Sequence, residues 1–244
     1  MFEIDIPRKN QDEPIKKIGM WCSGGADSSL LLYVTLHKII KDNLPIKVQP
    51  FTVRRPRPWN PPHAMNAVFK IRELLDLDNT DILDDHIIYV PPGRATVKPD
   101  GTNKPYAENE KINPEYADQK VFRKYNKRNF KTNNIQLLMS GITKAPPKRI
   151  QETFKDGVFD LEDERGEDVE RIIHVKNYEH YNYYEYKPFF NFDKKALAQI
   201  YREYDLLYTL FPVTRSCEAT KTDGTGHCGT CWWCEERFWA FGKL

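Results

Sequence analysis

Residues 17–29 read KIGMWCSGGADSS, in which a short apolar segment is followed at once by a turn with two glycines. A long apolar stretch then continues to Ile40. A strand, a glycine-rich turn and a helix in this order are typical of the first unit of an α/β fold. Because apolar residues cover most of the circumference of the expected helix, we predict that this helix is largely buried.

The same alternation of strand and helix continues along the chain. Further strands are predicted at 46–53, 86–90 and 135–139. Further helices are predicted at about 63–75 and 114–130. This spacing predicts a parallel sheet with right-handed crossovers. Two stretches interrupt it. Residues 91–114 are rich in Pro, Gly, Asn and Lys and predict a long loop, and residues 151–171 are strongly acidic and predict a solvated excursion.

The composition is that of an ordinary globular protein, with 244 residues, 40% of them hydrophobic, and a formal net charge of +2. This charge excludes a globally cationic nucleic-acid binder. The chain begins without a basic segment followed by an apolar run, and it lacks an uninterrupted apolar stretch of about 18 residues. We therefore expect a cytoplasmic protein without a membrane partner, in which the five cysteines do not serve as disulfides.

The glycine turn lies where a helix begins, and the physics of that position favours an anion. Free backbone N–H groups, the helix dipole and the serine hydroxyls all direct positive charge or donors into the turn. The expected ligand is a phosphate, although the lysine of a Walker A loop and the G-x-G-x-x-G fingerprint are both missing. A plain glycine turn with a serine cap is the alternative interpretation. The predicted phosphate-binding residues are Ser23, Gly24, Gly25, Ser28 and Ser29.

Four cysteines lie close together near the C-terminus, at Cys217, Cys228, Cys231 and Cys234. Pairs separated by two residues let both sulfurs reach one ion, and four thiolates in a tetrahedron predict a closed structural Zn²⁺ site. An iron–sulfur cluster and unliganded buried thiols are the alternatives, and His227 is a spare ligand. We interpret the fifth cysteine, Cys22, as a small buried thiol at the end of a strand.

The SGGxDS turn resembles the PP-loop of the N-type ATP pyrophosphatases, which cleave ATP between the α- and β-phosphates and transfer AMP to a substrate oxygen. The resemblance implies the Rossmann-like fold of the adenine nucleotide α-hydrolases and a loop that holds pyrophosphate. It also implies that Asp27 helps to place Mg²⁺, and a carboxylate beside a polyphosphate suits that ion on its own chemistry.

The C-terminal part of the chain resembles the end of the 7-cyano-7-deazaguanine synthases, the QueC family. The matching segments are PFFNFDK (188–194), a helix with Asp193 as N-cap that runs to about Tyr208, TRSC (214–217) and CGTCWWCEERFWAF (228–241). The middle of the chain departs from the family. Residues 141–149 are basic where the family has an acidic segment that helps to define its deazaguanine site.

The resemblance implies an ATP-dependent carbon–nitrogen ligase that converts 7-carboxy-7-deazaguanine with ammonia to 7-cyano-7-deazaguanine, for queuosine or a related modified base. Asp27 and Lys194 would be its catalytic residues, although Lys194 could equally be a solvated lysine at a helix start. Three alternatives stay open: a different acceptor, a sulfur-transferring tRNA thiolase, and a nucleotide-binding accessory protein without turnover. The thiolase needs a reactive cysteine, and Cys22 is the one outside the C-terminal group.

Two regions are expected: a nucleotide-binding domain at 1–187, which includes the excursion at 151–171, and a helical zinc-binding region at 188–244. A homodimer is a candidate assembly. Nucleic-acid binding stays open, because the basic residues at 120–131 and the tyrosines at 181–186 also fit a surface helix and a half-exposed strand.

Overall fold

The computed structural model describes residues 1–7, 14–53, 61–89, 131–155, 172–178, 181–217 and 226–244. The strands are β1 (Lys17–Trp21), β2 (Lys47–Val53), β3 (Ile87–Tyr89), β4 (Leu137–Met139), β5 (Ile172–Tyr178) and β6 (Tyr181–Tyr186). The helices are α1 (Ala26–Lys41), α2 (Pro61–Leu74), α3 (Lys148–Gln151), α4 (Lys194–Glu203) and α5 (Trp232–Phe241), with a 3-10 turn at Phe211–Val213.

The strands form one sheet in the order β3-β2-β1-β4-β6-β5. All neighbouring pairs are parallel except β5 and β6, which are antiparallel. The predicted Rossmann-like α/β fold with a parallel sheet is therefore confirmed. The antiparallel edge strand β5 was not predicted. Its residues lie between the acidic segment and the tyrosine-rich segment, and no turn signal in the sequence marked them as a separate strand.

Strand β1 lies in the middle of the sheet, between β2 and β4. The side chains of Ile18 and Met20 are fully buried there. Helix α1 is buried over most of its surface, as predicted, because it packs against both α2 and α4 while covering the sheet. The sheet order thus places the β1–α1 turn at the carboxyl ends of the central strands, where ligands bind in open α/β sheets.

Helix α4 begins as predicted but ends early. The Asp193 side chain caps it by accepting a hydrogen bond from the Ala196 N–H at 2.9 Å. The prediction that it continues to about Tyr208 is wrong, because Asp205 adopts a left-handed conformation with φ of 56°. The Leu206 N–H then bonds back to the Tyr201 carbonyl at 2.8 Å, which closes the helix end.

The start of the expected solvated excursion is packed against the protein. Gln151 and Phe154 are buried, and the Phe154 ring meets the Trp232 ring edge-on at a centroid distance of 5.4 Å. The prediction of a solvated segment is therefore wrong at these two positions, whereas Glu152, Thr153 and Lys155 are exposed. Its remainder, at 156–171, lies outside the described residues, as do the predicted loop at 91–114 and the helix expected at about 114–130.

Within the ranges given above, no helix combines the length and the apolar character that crossing a membrane requires.

Candidate active site

Gly24 lets the glycine turn approach helix α2 closely. Its φ is +79°, a conformation that side chains other than glycine rarely adopt. A Cβ at this position would lie 2.5 Å from the Ala64 backbone nitrogen. The start of α2 therefore rests directly on the turn, and this contact requires a glycine.

Replacement of Gly24 by alanine should disrupt the turn, whereas Gly25→Ala should be tolerated. Left-handed strain alone costs about 1–2 kcal/mol, and the backbone clash adds to it. For a domain of this size, each kcal/mol shifts the melting temperature by about 2–4 °C. We expect thermal melts of Gly24→Ala to lie about 5 °C or more below wild type. Gly25 has a φ of −75° and more room, so equal losses in both variants would contradict the argument.

The serines of the turn are hydrogen-bonded to one another. The Ser28 hydroxyl accepts from the Ser23 N–H at 3.2 Å and lies 3.0 Å from the Ser23 hydroxyl. The Gly25 N–H donates to the Ser23 hydroxyl at 3.2 Å. By contrast, the buried Ser29 hydroxyl and the Oδ1 atom of Asp27 have no hydrogen-bond partner within the part of the chain that the structure describes. A hydroxyl and a carboxylate oxygen without hydrogen-bond partners among the described residues, in the first turn of α1, fit a phosphate with its accompanying cation.

Residues from the second half of the chain hold this turn in place. The Arg215 N–H donates to the Gly24 carbonyl at 2.8 Å. The buried Tyr201 hydroxyl donates to the Ala26 carbonyl at 2.8 Å. Gly141, just after β4, lies so close that its Cβ would be 2.9 Å from the Ser28 nitrogen. The turn is thus fixed by groups that the sequence interpretation did not connect with it.

Lys194, at the start of α4, is buried beside the turn. Its Nζ lies 3.2 Å from Asp27 Oδ2 and 2.9 Å from Glu236 Oε2. The alternative that Lys194 is a solvated lysine is therefore wrong. The two residues that the resemblance implied as catalytic, Asp27 and Lys194, form an ion pair in this structure.

Glu236 was missed by the sequence interpretation, although it carried a signal. In α5, the side chains of Trp232, Glu236 and Ala240 follow one another at intervals of four residues, and all three are buried. A carboxylate inside such a stripe faces the protein interior and needs a charged partner there. Lys194 is that partner.

Arg237 joins α5 to the segment that precedes the first cysteine of the C-terminal group. Its guanidinium donates to the Thr214 hydroxyl at 3.0 Å, to the Ser216 hydroxyl at 3.3 Å and to the Phe211 carbonyl at 3.1 Å. Burial lowers the pKa of Arg237 to about 10, so this group is still charged at neutral pH. It stabilises the segment from which Arg215 reaches the turn.

The four C-terminal cysteines come together as predicted and could hold a metal ion. Their sulfurs all lie within 4.8 Å of one another, and we call this set the cysteine cluster (Cys217, Cys228, Cys231 and Cys234). Cys231 is the N-cap residue of α5, and Cys234 lies in its first turn. Among the described residues, His227 is not one of the grouped ligands, and its Nε2 accepts the Ser216 N–H at 3.4 Å.

Cys22 follows β1 and is buried, which confirms its interpretation as a small buried thiol. Burial raises the pKa of the Cys22 thiol to about 12. A thiol with this pKa is almost entirely protonated at neutral pH, and the thiolate is the nucleophile. Cys22 thus lies next to the turn as a thiol whose burial disfavours the thiolate form.

Comparison with known proteins gives similarities of fold only. No family model matches the sequence, and no curated protein matches it. Among solved structures, a U34-tRNA thiolase from Methanococcus maripaludis with its [4Fe-4S] cluster is 16% identical, with a TM-score of 0.47. The alignment covers 79% of this chain and 57% of the thiolase. A phosphoadenylyl-sulfate reductase from Candida auris, in a phosphate complex, is 13% identical with a TM-score of 0.42, over 79% and 74% of the two chains.

Proposed function

We propose that this protein is an ATP-dependent enzyme that transfers AMP to a substrate oxygen. The observation that carries the proposal is the buried Lys194, held 3.2 Å from Asp27 in the first turn of α1. A buried ammonium next to an anion-binding turn supplies the charge that cleavage of a polyphosphate needs. Catalysis of this step consists mainly of positioning and charge neutralisation.

Each residue of the turn has a role in this proposal. The backbone N–H groups of Gly24 and Gly25 and the hydroxyls of Ser23, Ser28 and Ser29 would bind the departing pyrophosphate. Lys194 would neutralise the charge that develops around the α-phosphorus. Asp27 would hold a magnesium ion, which screens the phosphate charges when bound.

The substrate we propose is 7-carboxy-7-deazaguanine, on the resemblance of the turn and the C-terminal segments to the QueC family. A carboxylate oxygen attacks the α-phosphorus of ATP, so that the new O–P bond replaces the bond to pyrophosphate. Ammonia then attacks the acyl carbon, AMP leaves, and loss of a proton gives the amide. In a second round the amide oxygen attacks the α-phosphorus of another ATP and pyrophosphate leaves. Loss of AMP and two protons from this intermediate gives the nitrile.

Zinc is the metal we propose for the cysteine cluster. A tetrahedron with metal–sulfur bonds of about 2.3 Å has edges of about 3.8 Å. The sulfurs of Cys228 and Cys234 are 3.9 Å apart, and those of Cys217 and Cys231 are 4.0 Å apart. These separations suit one ion, whereas an iron–sulfur cube binds each cysteine to a different iron atom and so needs a wider spacing.

The proposed reaction is tested by incubating the purified protein with the acid, ATP, Mg²⁺ and ammonia. We expect AMP, pyrophosphate and the amide or nitrile, and exchange of labelled pyrophosphate into ATP that depends on the acid. Asp27→Asn should lose this exchange, and Asp76→Asn, on an exposed turn after α2, serves as the control. Exchange that depends on another carboxylate but not on this acid would contradict the proposed substrate and would still support the adenylation step.

Sulfur transfer to a tRNA base is the second candidate, because four thiolates are also the donor set of an iron–sulfur cluster. Metal analysis distinguishes the two proposals at little cost. One zinc ion per chain supports the ligase, and iron with acid-labile sulfide supports the thiolase. Full activity of a Cys22→Ala variant would argue against a mechanism in which the Cys22 sulfur is transferred.

A further inference from the structure

Glu236 is the fully buried member of a group of three charges beside the glycine turn. Its Oε2 lies 2.9 Å from Lys194 Nζ, which in turn lies 3.2 Å from Asp27 Oδ2. We call these three side chains the charge cluster. Two carboxylates and one ammonium give the cluster a formal charge of −1. Burying a carboxylate is costly even when it is paired, so the second carboxylate calls for a functional reason.

The two carboxylates differ in their access to solvent. The Asp27 side chain is 22% exposed, whereas the Lys194 side chain is 5% exposed and the Glu236 side chain is 0% exposed. Asp27 also lies in the first turn of α1, next to the glycine turn. Asp27 is therefore the carboxylate that an incoming cation can reach, and Glu236 is the one that stays with the lysine.

A lysine paired with one carboxylate forms a neutral pair, and such a lysine competes with any metal ion for that carboxylate. With Glu236 present, the Lys194 ammonium is shared between two carboxylates, and Asp27 keeps part of its negative charge. We infer that Glu236 is a positioning residue: it holds the ammonium away from an exclusive pair with Asp27, and so leaves Asp27 available to the divalent cation that arrives with a polyphosphate. This inference rests on the proposed function, since it assumes that the turn binds a nucleotide.

A purely structural role for Glu236 makes a different prediction. Glu236 lies in α5 and Lys194 in α4, so the ion pair also joins these two helices. Loosening that contact should weaken nucleotide binding to the same extent with and without a metal ion. The Arg237 guanidinium also interacts electrostatically with Asp27. It is bonded to Thr214, Ser216 and Phe211 and is present in every variant, so its contribution is common to all of them.

The test is the binding of a non-hydrolysable ATP analogue to the full chain, measured by calorimetry in EDTA and over a series of Mg²⁺ concentrations. Glu236→Gln removes one negative charge and keeps the shape of the side chain. We expect it to bind the metal-free analogue about 3-fold to 10-fold more tightly than wild type, because one repulsive charge is gone. The Mg²⁺ concentration at which analogue binding is tightened half-maximally should also be about tenfold higher than in wild type. Glu236→Asp keeps the charge and should restore the wild-type Mg²⁺ dependence.

Glu235→Gln is the matched control, because the neighbouring Glu235 side chain accepts a hydrogen bond from the Lys155 N–H instead of pairing with Lys194. It should bind as wild type does in both conditions. Equal weakening of Glu236→Gln with and without Mg²⁺, or an unchanged Mg²⁺ dependence, would overturn the inference. If wild type binds no nucleotide in either condition, the proposed function itself fails, and the inference fails with it.

A second variant carries the test if Glu236→Gln does not fold. Lys194→Met combined with Glu236→Gln removes the ammonium and its buried carboxylate together, so no buried charge is left without a partner. No lysine then competes with Mg²⁺ for Asp27. Half-maximal tightening of analogue binding should therefore occur at or below the Mg²⁺ concentration that wild type requires. A higher requirement for Mg²⁺ in this double variant would overturn the inference.

Discussion

Replacement of Lys194 by methionine should reduce acid-dependent pyrophosphate exchange by about 10²-fold to 10³-fold, the usual loss when one charge-stabilising group is removed from an active site. The physical reason is the position of the ammonium, 3.2 Å from Asp27 and next to the turn that would bind the phosphates. Methionine preserves the length of the side chain and removes its charge. The measurement is exchange of labelled pyrophosphate into ATP at saturating Mg²⁺.

Stability must be separated from catalysis in this experiment. Lys194→Met leaves Asp27 and Glu236 without their ammonium, and removal of one partner of a buried ion pair costs about 3–5 kcal/mol. The double variant Lys194→Met with Glu236→Gln should recover much of that stability in thermal melts and stay inactive in exchange. Lys195→Met is the matched control, because Lys195 is exposed on the same helix turn. Wild-type exchange in the double variant would contradict a catalytic role for Lys194.

Removal of the proposed zinc ion from the cysteine cluster should lower the stability of the whole chain. A ligand present at about a thousand times its dissociation constant contributes about 4 kcal/mol to the free energy of unfolding. For a protein of this size, that loss corresponds to a fall of about 8–16 °C in melting temperature. The same fall should follow either chelation or Cys234→Ala, and calorimetry measures it directly.

Metal loss should also weaken nucleotide binding, because the cluster is joined to the glycine turn at two places. Cys217 follows the segment from which the Arg215 N–H holds the Gly24 carbonyl. Cys234 lies in the same helix as Glu236, which pairs with Lys194. Cys22→Ala is the control, and it should keep one metal ion per chain. A melting temperature that does not change after complete chelation would show that the cluster has no structural role.

Local sequence was enough to predict the central part of the fold. The apolar segment at 17–22, the two glycines and the apolar stretch to Ile40 became β1, the turn and α1 with only small differences in their ends. Backbone stereochemistry and hydrophobic periodicity act over a few residues, so they can be read directly from the chain. The spacing of the four C-terminal cysteines is equally local, and it predicted the cluster correctly.

The end of α4 shows what such local signals leave out. No glycine marks the stop, and the apolar pattern continues beyond it. Asp205 takes the left-handed conformation instead, which aspartate tolerates better than most residues. The stop becomes visible only in the structure, where the Leu206 N–H returns to the Tyr201 carbonyl.

Only the tertiary structure assembled the charge cluster. Asp27, Lys194 and Glu236 begin or lie near the beginning of three separate helices, and no periodicity relates one to another. The resemblance to a known family singled out the first two residues without placing them in contact. Sheet order and helix packing bring them together, because the start of α4 and the second turn of α5 meet beside the turn between β1 and α1. Long-range packing therefore decides which charges face each other, whereas the chain's local pattern decides where each helix that carries them begins.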